Sequence, residues 1–409
     1  MTSNWLLYSH DALGLGHVRR MLAIAGSALA GRPDLSALLL TCSPQVDALP
    51  LPPGLDYIKL PSARKLTAHQ YVPRTLRVDP ARLTELRAAL IADTARHYRP
   101  NLVLVDKSPL GLMGELAPAL EELRSPGAAA PRLVLGWRDI LDAPARIRAE
   151  WKAKGTLETI ERWYDELWIY GDPEVFDARI EYALPARIAE RTRFTGYLAP
   201  RVERAAVTRA RAQMQDEPFA LVTAGGGEDG DALLTTWVEA VRSGVAPRHL
   251  RTLLVTGPFL SADAFDRLRA SAPPSVTVVP FVSQLEAFVA AADLVVGMAG
   301  YNTVCEILGA GRPAVLIPRA SQRDEQRLRA SRLAARGVVE TVEPEQLSAR
   351  AVAEAAARAL ERGPRPVEAA APGELALAGL QQVVRSVDRL LPVAPPVRGP
   401  EFVGSRAIA

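Results

Sequence analysis

Twice along this chain, short apolar runs of strand length alternate with segments of helical spacing, and a Gly- and Pro-punctuated break separates the two series. Such alternation is the pattern of parallel βαβ units, and it leaves few architectures open. In the first series, strands are predicted at Trp5 to Ser9, Ala37 to Thr41, Tyr57 to Leu60, Leu102 to Asp106, Leu133 to Trp137 and Glu166 to Tyr170. Arg82 to Tyr98 reads as an amphipathic helix, with Leu83, Leu86, Leu90 and Ile91 on its apolar face, and Ile147 to Asp165 reads as a second. The break falls at Thr195-Gly196-Tyr197-Leu198-Ala199-Pro200. Strands are then predicted at Phe219 to Thr223, Thr252 to Thr256, Val276 to Pro280, Leu294 to Gly297 and Ala314 to Pro318. Residues 363 to 373 read as a loop, Glu374 to Leu391 as a helix that returns to the first domain, and the stretch after Pro392 as a mobile tail.

A length of 409 residues suits two domains. The expected division is residues 1–196, 197–374, and a returning helix with its tail at 375–409. With 48% hydrophobic and 23% charged residues the composition is globular. Net charge is only +3, because 46 acidic residues are interspersed among 49 basic ones. No basic run appears, which argues against a nucleic-acid partner. Cys42 and Cys305 are too few for a disulfide framework and form no CxxC pair, so both read as buried thiols in a reducing compartment. Trp5-Leu6-Leu7-Tyr8 meets polar residues too soon for a signal peptide, and no apolar stretch reaches the ~20 residues of a membrane span. The expectation is a soluble, cytoplasmic protein without a transmembrane segment.

Chemistry concentrates after the strands. The first strand runs into Ser9-His10-Asp11-Ala12-Leu13-Gly14-Leu15-Gly16-His17-Val18-Arg19-Arg20 and then a helix. Gly14 and Gly16 permit a tight turn and close approach of a ligand to a helix N-terminus. It is not a dinucleotide fingerprint, since Arg19 stands where GxGxxG needs its third glycine. What remains is a glycine turn that delivers His17 to the first helical turn, as a base or as an ordinary capping or packing residue. In the second series Gly225-Gly226-Gly227 separates a strand from a helix, a shape that either binds an anion or merely turns a corner. Asp229-Gly230-Asp231 spells DxD, yet it sits where a helix begins and where Asp is favoured for capping, so no metal is assigned. Farther on, Gly297-Met298-Ala299-Gly300-Tyr301-Asn302-Thr303-Val304-Cys305-Glu306 leads from a strand through a glycine turn into a helix. A carboxylate so placed can accept both hydroxyls of a ribose, although a lone Glu is more often a solvated surface residue.

From Gly196 to about residue 340 the sequence resembles the C-terminal domain of MurG-type (family 28) N-acetylglucosaminyltransferases and the wider inverting GT-B superfamily. Five segments carry the resemblance: Gly196 to Pro200, the glycines at 225–227, Phe281-Val282, Ala299 to Glu306, and Pro318 to Gln326. In the first half, Gly14-Leu15-Gly16-His17 combines with Asp106-Lys107-Ser108-Pro109, Trp137-Arg138-Asp139-Ile140 and Tyr170-Gly171-Asp172-Pro173. That combination is similar to a group of bacterial predicted glycosyltransferases. The resemblance implies a GT-B fold, an α/β architecture of two Rossmann-like domains with parallel sheets facing across a cleft. It implies a hexosyltransferase that needs no cofactor and uses a UDP-linked nucleotide sugar as co-substrate with a hydroxyl acceptor. It gives Glu306 the ribose, Gln326 beside Glu325 the transferred sugar, and Phe281-Val282 the base. Gly300, Tyr301, Asn302 and Thr303 lie at the helix start that would meet the diphosphate. One departure stands out: Glu228, Asp229 and Asp231 follow the glycine loop, where their charge would repel a diphosphate. His17 would take the acceptor proton, and Asp106 would orient it. Two alternatives remain open: a sugar-nucleotide epimerase or hydrolase on this scaffold, and a sugar-nucleotide binder without turnover.

Overall fold

The computed structural model describes residues 3–11, 15–66, 71–125, 130–227, 229–320, 323–365 and 375–391. Its strands are β1 (Ser3–Tyr8), β2 (Leu35–Thr41), β3 (Leu55–Lys59), β4 (Ala63–Lys65), β5 (Tyr71–Pro73), β6 (Leu102–Asp106), β7 (Arg132–Arg138), β8 (Glu166–Tyr170) and β9 (Thr192–Phe194). These are followed by β10 (Phe219–Thr223), β11 (Arg251–Val255), β12 (Val276–Val279), β13 (Leu294–Met298), β14 (Ala314–Ile317) and β15 (Glu340–Thr341).

Two parallel sheets result, ordered β3-β2-β1-β6-β7-β8-β9 and β12-β11-β10-β13-β14-β15. In each, the chain starts in the interior, winds to one edge, then crosses back to build the other half. This leaves a switch point beside β1 in one sheet and β10 in the other, the usual position for a ligand at the carboxyl ends of the strands. Residues of β6, β8, β10 and β13 are buried throughout, because helices cover both faces of each sheet.

Several expectations need correction. The helix expected over 147–165 is two helices, Pro144–Lys154 and Thr156–Trp163, because Gly155 turns left-handed (φ 60°) and ends the first. The helix at Pro80–Tyr98 turns Leu83, Arg87 and Ile91 inward but leaves Leu86 and Leu90 exposed. Its buried face rotates toward Arg87 because the guanidinium finds the buried carboxylate of Glu115 at 2.6 Å, and that carboxylate also accepts from Tyr8. The β4–β5 hairpin and the short edge strands β9 and β15 were not predicted.

The chain crosses between the sheets near Thr195–Pro200 and again at 375–379. At the crossing Tyr197 N–H donates to Ala376 O (2.7 Å), and Gly379 N–H returns to Tyr197 O (3.0 Å). The helix Gly379–Leu390 then packs on the first helix, Gly16–Leu29. Arg32 holds Asp388 (2.8 Å) and Arg389 holds Glu166 (2.8 Å) at its far end. The sequence after Leu391 lies outside the described residues, as do residues 366 to 373 of the expected loop and Glu374, the expected start of the returning helix.

Candidate functional site

The facing edges of the two sheets are joined by buried charge. Arg329, fully buried on the helix Glu325–Ala335, donates to Asp139 beyond β7 (2.6 and 2.8 Å) and to Ala299 O beyond β13 (2.8 Å). One guanidinium thus ties the carboxyl ends of both sheets together. Beside it, Asp142 accepts from Arg323 (3.2 Å) and from Asp324 N–H (2.7 Å). Closer to β1, Asn302 Nδ2 donates to Gly16 O (3.1 Å), and Arg19 reaches Glu306 Oε1 at 2.8 Å.

Along the first sheet's edge, Gly16 opens the first helix and His17 follows it. The His17 ring is hydrogen-bonded through Nδ1 to Asp106 Oδ2 at the end of β6. Asp106 is fully buried, and burial alone would raise its pKa. Arg20, which donates to Oδ1 at 2.7 Å, and then His17 instead hold it well below the usual carboxylate range. An ionised Asp106 keeps the proton on His17 Nδ1 and leaves a lone pair on Nε2. Burial is the largest influence on His17 and lowers its pKa to about 4, against the pull of Asp106. His10, the other candidate near this turn, is buried, its ring 5.6 Å from that of His17, and its pKa is pushed well down by burial and then by Lys107. Lys107 is itself lowered to about 7 by burial, Arg138 and Arg323.

On the opposite edge, Gly300 is the N-cap of the helix Tyr301–Ala310. Among the described residues no side chain caps that end, whose first N–H groups lack intrahelical partners, and a Cβ at Gly300 would meet nothing within 4 Å. Glu306 is 6% exposed, with Oε2 unpartnered among the described residues, and burial raises its pKa against Arg19. A cavity of about 170 Å³ lies there, lined by Arg19, Arg20, Glu286, Tyr301, Asn302 and Glu306 among others.

Residues 222–382 match the glycosyltransferase family 28 C-terminal domain. That stretch of the second half is similar to glycosyltransferase family 28. One relative, the UDP-N-acetylglucosamine–N-acetylmuramyl-(pentapeptide) pyrophosphoryl-undecaprenol N-acetylglucosamine transferase of Exiguobacterium sp., is 31% identical over 179 residues, 43% of this chain and 48% of that protein. Its counterpart in Corynebacterium efficiens is 28% identical over 262 residues, 61% and 67% of the two chains. The chain spans about half the length of the first of these relatives. Among solved structures, MurG of Acinetobacter baumannii aligns over 95% of this chain and 100% of its own at 17% identity and a TM-score of 0.55. TcCGT1 in complex with UDP aligns over 95% and 100% at 14% identity and a TM-score of 0.62. These likenesses establish the GT-B fold.

The residues predicted from the sequence divide into groups. Asn302 and Glu306 line the cavity, Gly300 is the N-cap of the helix that carries them, and Gly16, next to His17 in the chain, meets Asn302 from the opposite sheet. Tyr301 also lines it, but the side chain is buried: its ring lies between Arg20 and Arg329 (5.7 Å each), and its hydroxyl accepts from Leu198 N–H. Thr303 faces the glycine loop, where a Cβ at Gly225 would lie 3.8 Å from its Oγ1. Gly226 backs onto Phe259. Gly227 (φ 94°) is needed for packing, since a Cβ there would lie 2.5 Å from Thr256 O. Phe281 is 62% exposed at the end of β12, and Val282 packs partly against the core. Glu325 and Gln326 are buried at the start of their helix, Glu325 with Arg138 at 3.3 Å and Gln326 accepting from Arg319 N–H at 3.2 Å. Gly14, Glu228 and residues 321–322 lie outside the described residues.

The DxD did not cap its helix as expected. Gly230 is the N-cap and no side chain bonds there, whereas Asp231 opens the helix and Asp229 lies 3.6 Å from Arg319. Arg319 offsets charge that would otherwise repel a diphosphate. Arg19, Arg20 and Arg329 were not singled out from the sequence, where an arginine reads as solvated surface. A signal existed for two of them. Arg20 stands four residues before buried Ile24, and Arg329 falls between buried Gln326 and Leu333, on the inward phase of their helices.

Proposed function

We propose that the protein is an inverting, metal-independent hexosyltransferase that moves a sugar from a UDP-sugar to a hydroxyl of a small-molecule or glycoconjugate acceptor. On this reading residues 1–196 hold the acceptor, 197–374 the nucleotide sugar, and 375–409 return to the first domain. The observation that carries it is the His17–Asp106 pair, set beside the open helix N-terminus at Gly300 and the buried Glu306 carboxylate. In the reaction the acceptor oxygen attacks the anomeric carbon from the face opposite the diphosphate. Its proton passes to His17 Nε2, and the electron pair of the breaking C1–O bond leaves with UDP. Asp106 stabilises the imidazolium so formed. The amide groups at Gly300 receive the growing diphosphate charge, Glu306 takes the ribose hydroxyls, exposed Phe281 meets the base, and Glu325 and Gln326 meet the sugar.

A UDP donor is supported by the names of the family relatives. Among the described residues, no helix is long and apolar enough to cross a membrane, and both cysteines are free and buried, which supports a cytoplasmic site of action. Incubation with UDP-N-acetylglucosamine and UDP-glucose, with and without a panel of hydroxyl acceptors, tests the proposal. Acceptor-dependent UDP release is the expected result. Free sugar formed at the same rate without acceptor would make the protein a hydrolase, and a changed sugar epimer would make it an epimerase.

A further inference from the structure

We infer that Arg19 is an exchangeable counter-charge of the donor site, covering Glu306 while the cleft is empty and turning to the nucleotide's diphosphate once ribose takes that carboxylate. The inference rests on the nucleotide site proposed above.

Arg19 is carried by the first helix, two residues after His17, and so belongs to the opposite sheet from Glu306. Its Nη2 donates to Glu306 Oε1 at 2.8 Å and stands 3.8 Å from Glu286 Oε2. Glu306 is buried and its second oxygen has no partner among the described residues. A carboxylate left half satisfied in a buried position is costly, and a vicinal diol that donates to both oxygens completes it. The diol therefore replaces Arg19 at a site where Arg19 satisfies only one oxygen.

The released side chain has room to turn. It is 36% exposed and borders the cavity of about 170 Å³, together with Asn302 and Tyr301 at the helix start. The neighbouring cations are committed elsewhere. Arg20 holds Asp106, Arg329 holds Asp139, and Arg319 lies against Asp229. Among the described residues lining this cavity, Arg19 is thus the cation whose nearer carboxylate partner, Glu306, the ligand itself takes up, leaving only the longer contact to Glu286 at 3.8 Å. A guanidinium can bind a diphosphate with two parallel donors, and its charge gains value as the leaving group becomes more negative.

The test is calorimetric titration of the full chain and its variants with uridine and with UDP. Arg19→Ala should weaken UDP about 10- to 100-fold, the range of a lost charge-assisted bond. The same change should leave uridine binding equal or tighter, because ribose no longer competes for Glu306. Arg19→Lys should recover part of the UDP affinity. Equal weakening of both ligands would overturn the exchange, as would tightening of both, which would leave Arg19 a latch with no diphosphate role. If Glu306→Ala binds both ligands as the wild type does, the nucleotide site itself is misplaced, and that failure is distinct from the others.

Discussion

The edges of the two sheets that face each other start from the same strand order and end in opposite chemistry. After β1 and β6 the first sheet presents His10, Asp11, His17, Asp106 and Lys107, all titratable and crowded; burial lowers the pKa of His10, His17 and Lys107, whereas Arg20 and His17 hold Asp106 low against its burial. Asp11 is raised to about 6 by burial even while it accepts from Thr41 and from Val18 N–H. After β10 and β13 the second sheet presents glycines and a bare helix end, with Glu306 as the buried carboxylate behind them. On the proposed reading one edge moves a proton and the other holds an anion. A shared topology supplies only the position for a site; the loop residues decide what the position does.

The largest effect should come from the proton-handling edge. His17→Ala is expected to lower kcat by about 10²- to 10⁴-fold, the usual cost of losing a general base, with UDP affinity hardly changed. Side-by-side turnover and titration would check it, and a dead His10→Ala beside an active His17→Ala would move the base to His10. Next is the tie between the edges. Arg329→Met leaves the Asp139 carboxylate buried without its cation and should cost about 3 to 5 kcal/mol in urea unfolding. A loss below about 1 kcal/mol would mean that the edges are held by something else.

The anion-holding edge should respond more mildly. Glu306→Ala should weaken UDP binding by about 1.5 to 3 kcal/mol, with kcat at saturating donor less affected than in His17→Ala. The pH profile sharpens the contrast further. His17 in the folded protein takes its proton only near pH 4, so the acid limb of kcat should fall near there, below an ordinary histidine's 6.5. Unfolded chains bind that proton already near 6.5, so this group should cost stability as pH drops from 6.5 toward 4. An acid limb centred at 6.5 would show that burial does not set this base. Smallest of all, excess EDTA should leave turnover unchanged; loss restored by Mg²⁺ or Mn²⁺ would bring Asp229 in as a ligand.

Much of the framework was readable because buried parallel strands are apolar on both faces. Leu102–Asp106, Glu166–Tyr170 and Phe219–Thr223 lie where the apolar runs predicted them. Edge strands such as Glu340–Thr341 are too short to leave a run, and the helix predicted over 147–165 concealed a left-handed turn at Gly155. The face of Pro80–Tyr98 was misjudged at Leu86 and Leu90 because the partner that draws Arg87 inward, Glu115, comes from a distant segment.

By itself, then, the sequence determined two βαβ series, the glycine turns, and the residue types at the strand ends, since these follow from local periodicity and local backbone freedom. Only the tertiary structure decided which charges meet. Asp106 lies 89 residues from His17, Arg329 lies 190 from Asp139, and Glu306 lies 287 from Arg19. A charge's state depends on burial and on partners within a few ångströms, and the fold alone brings such distant segments that close.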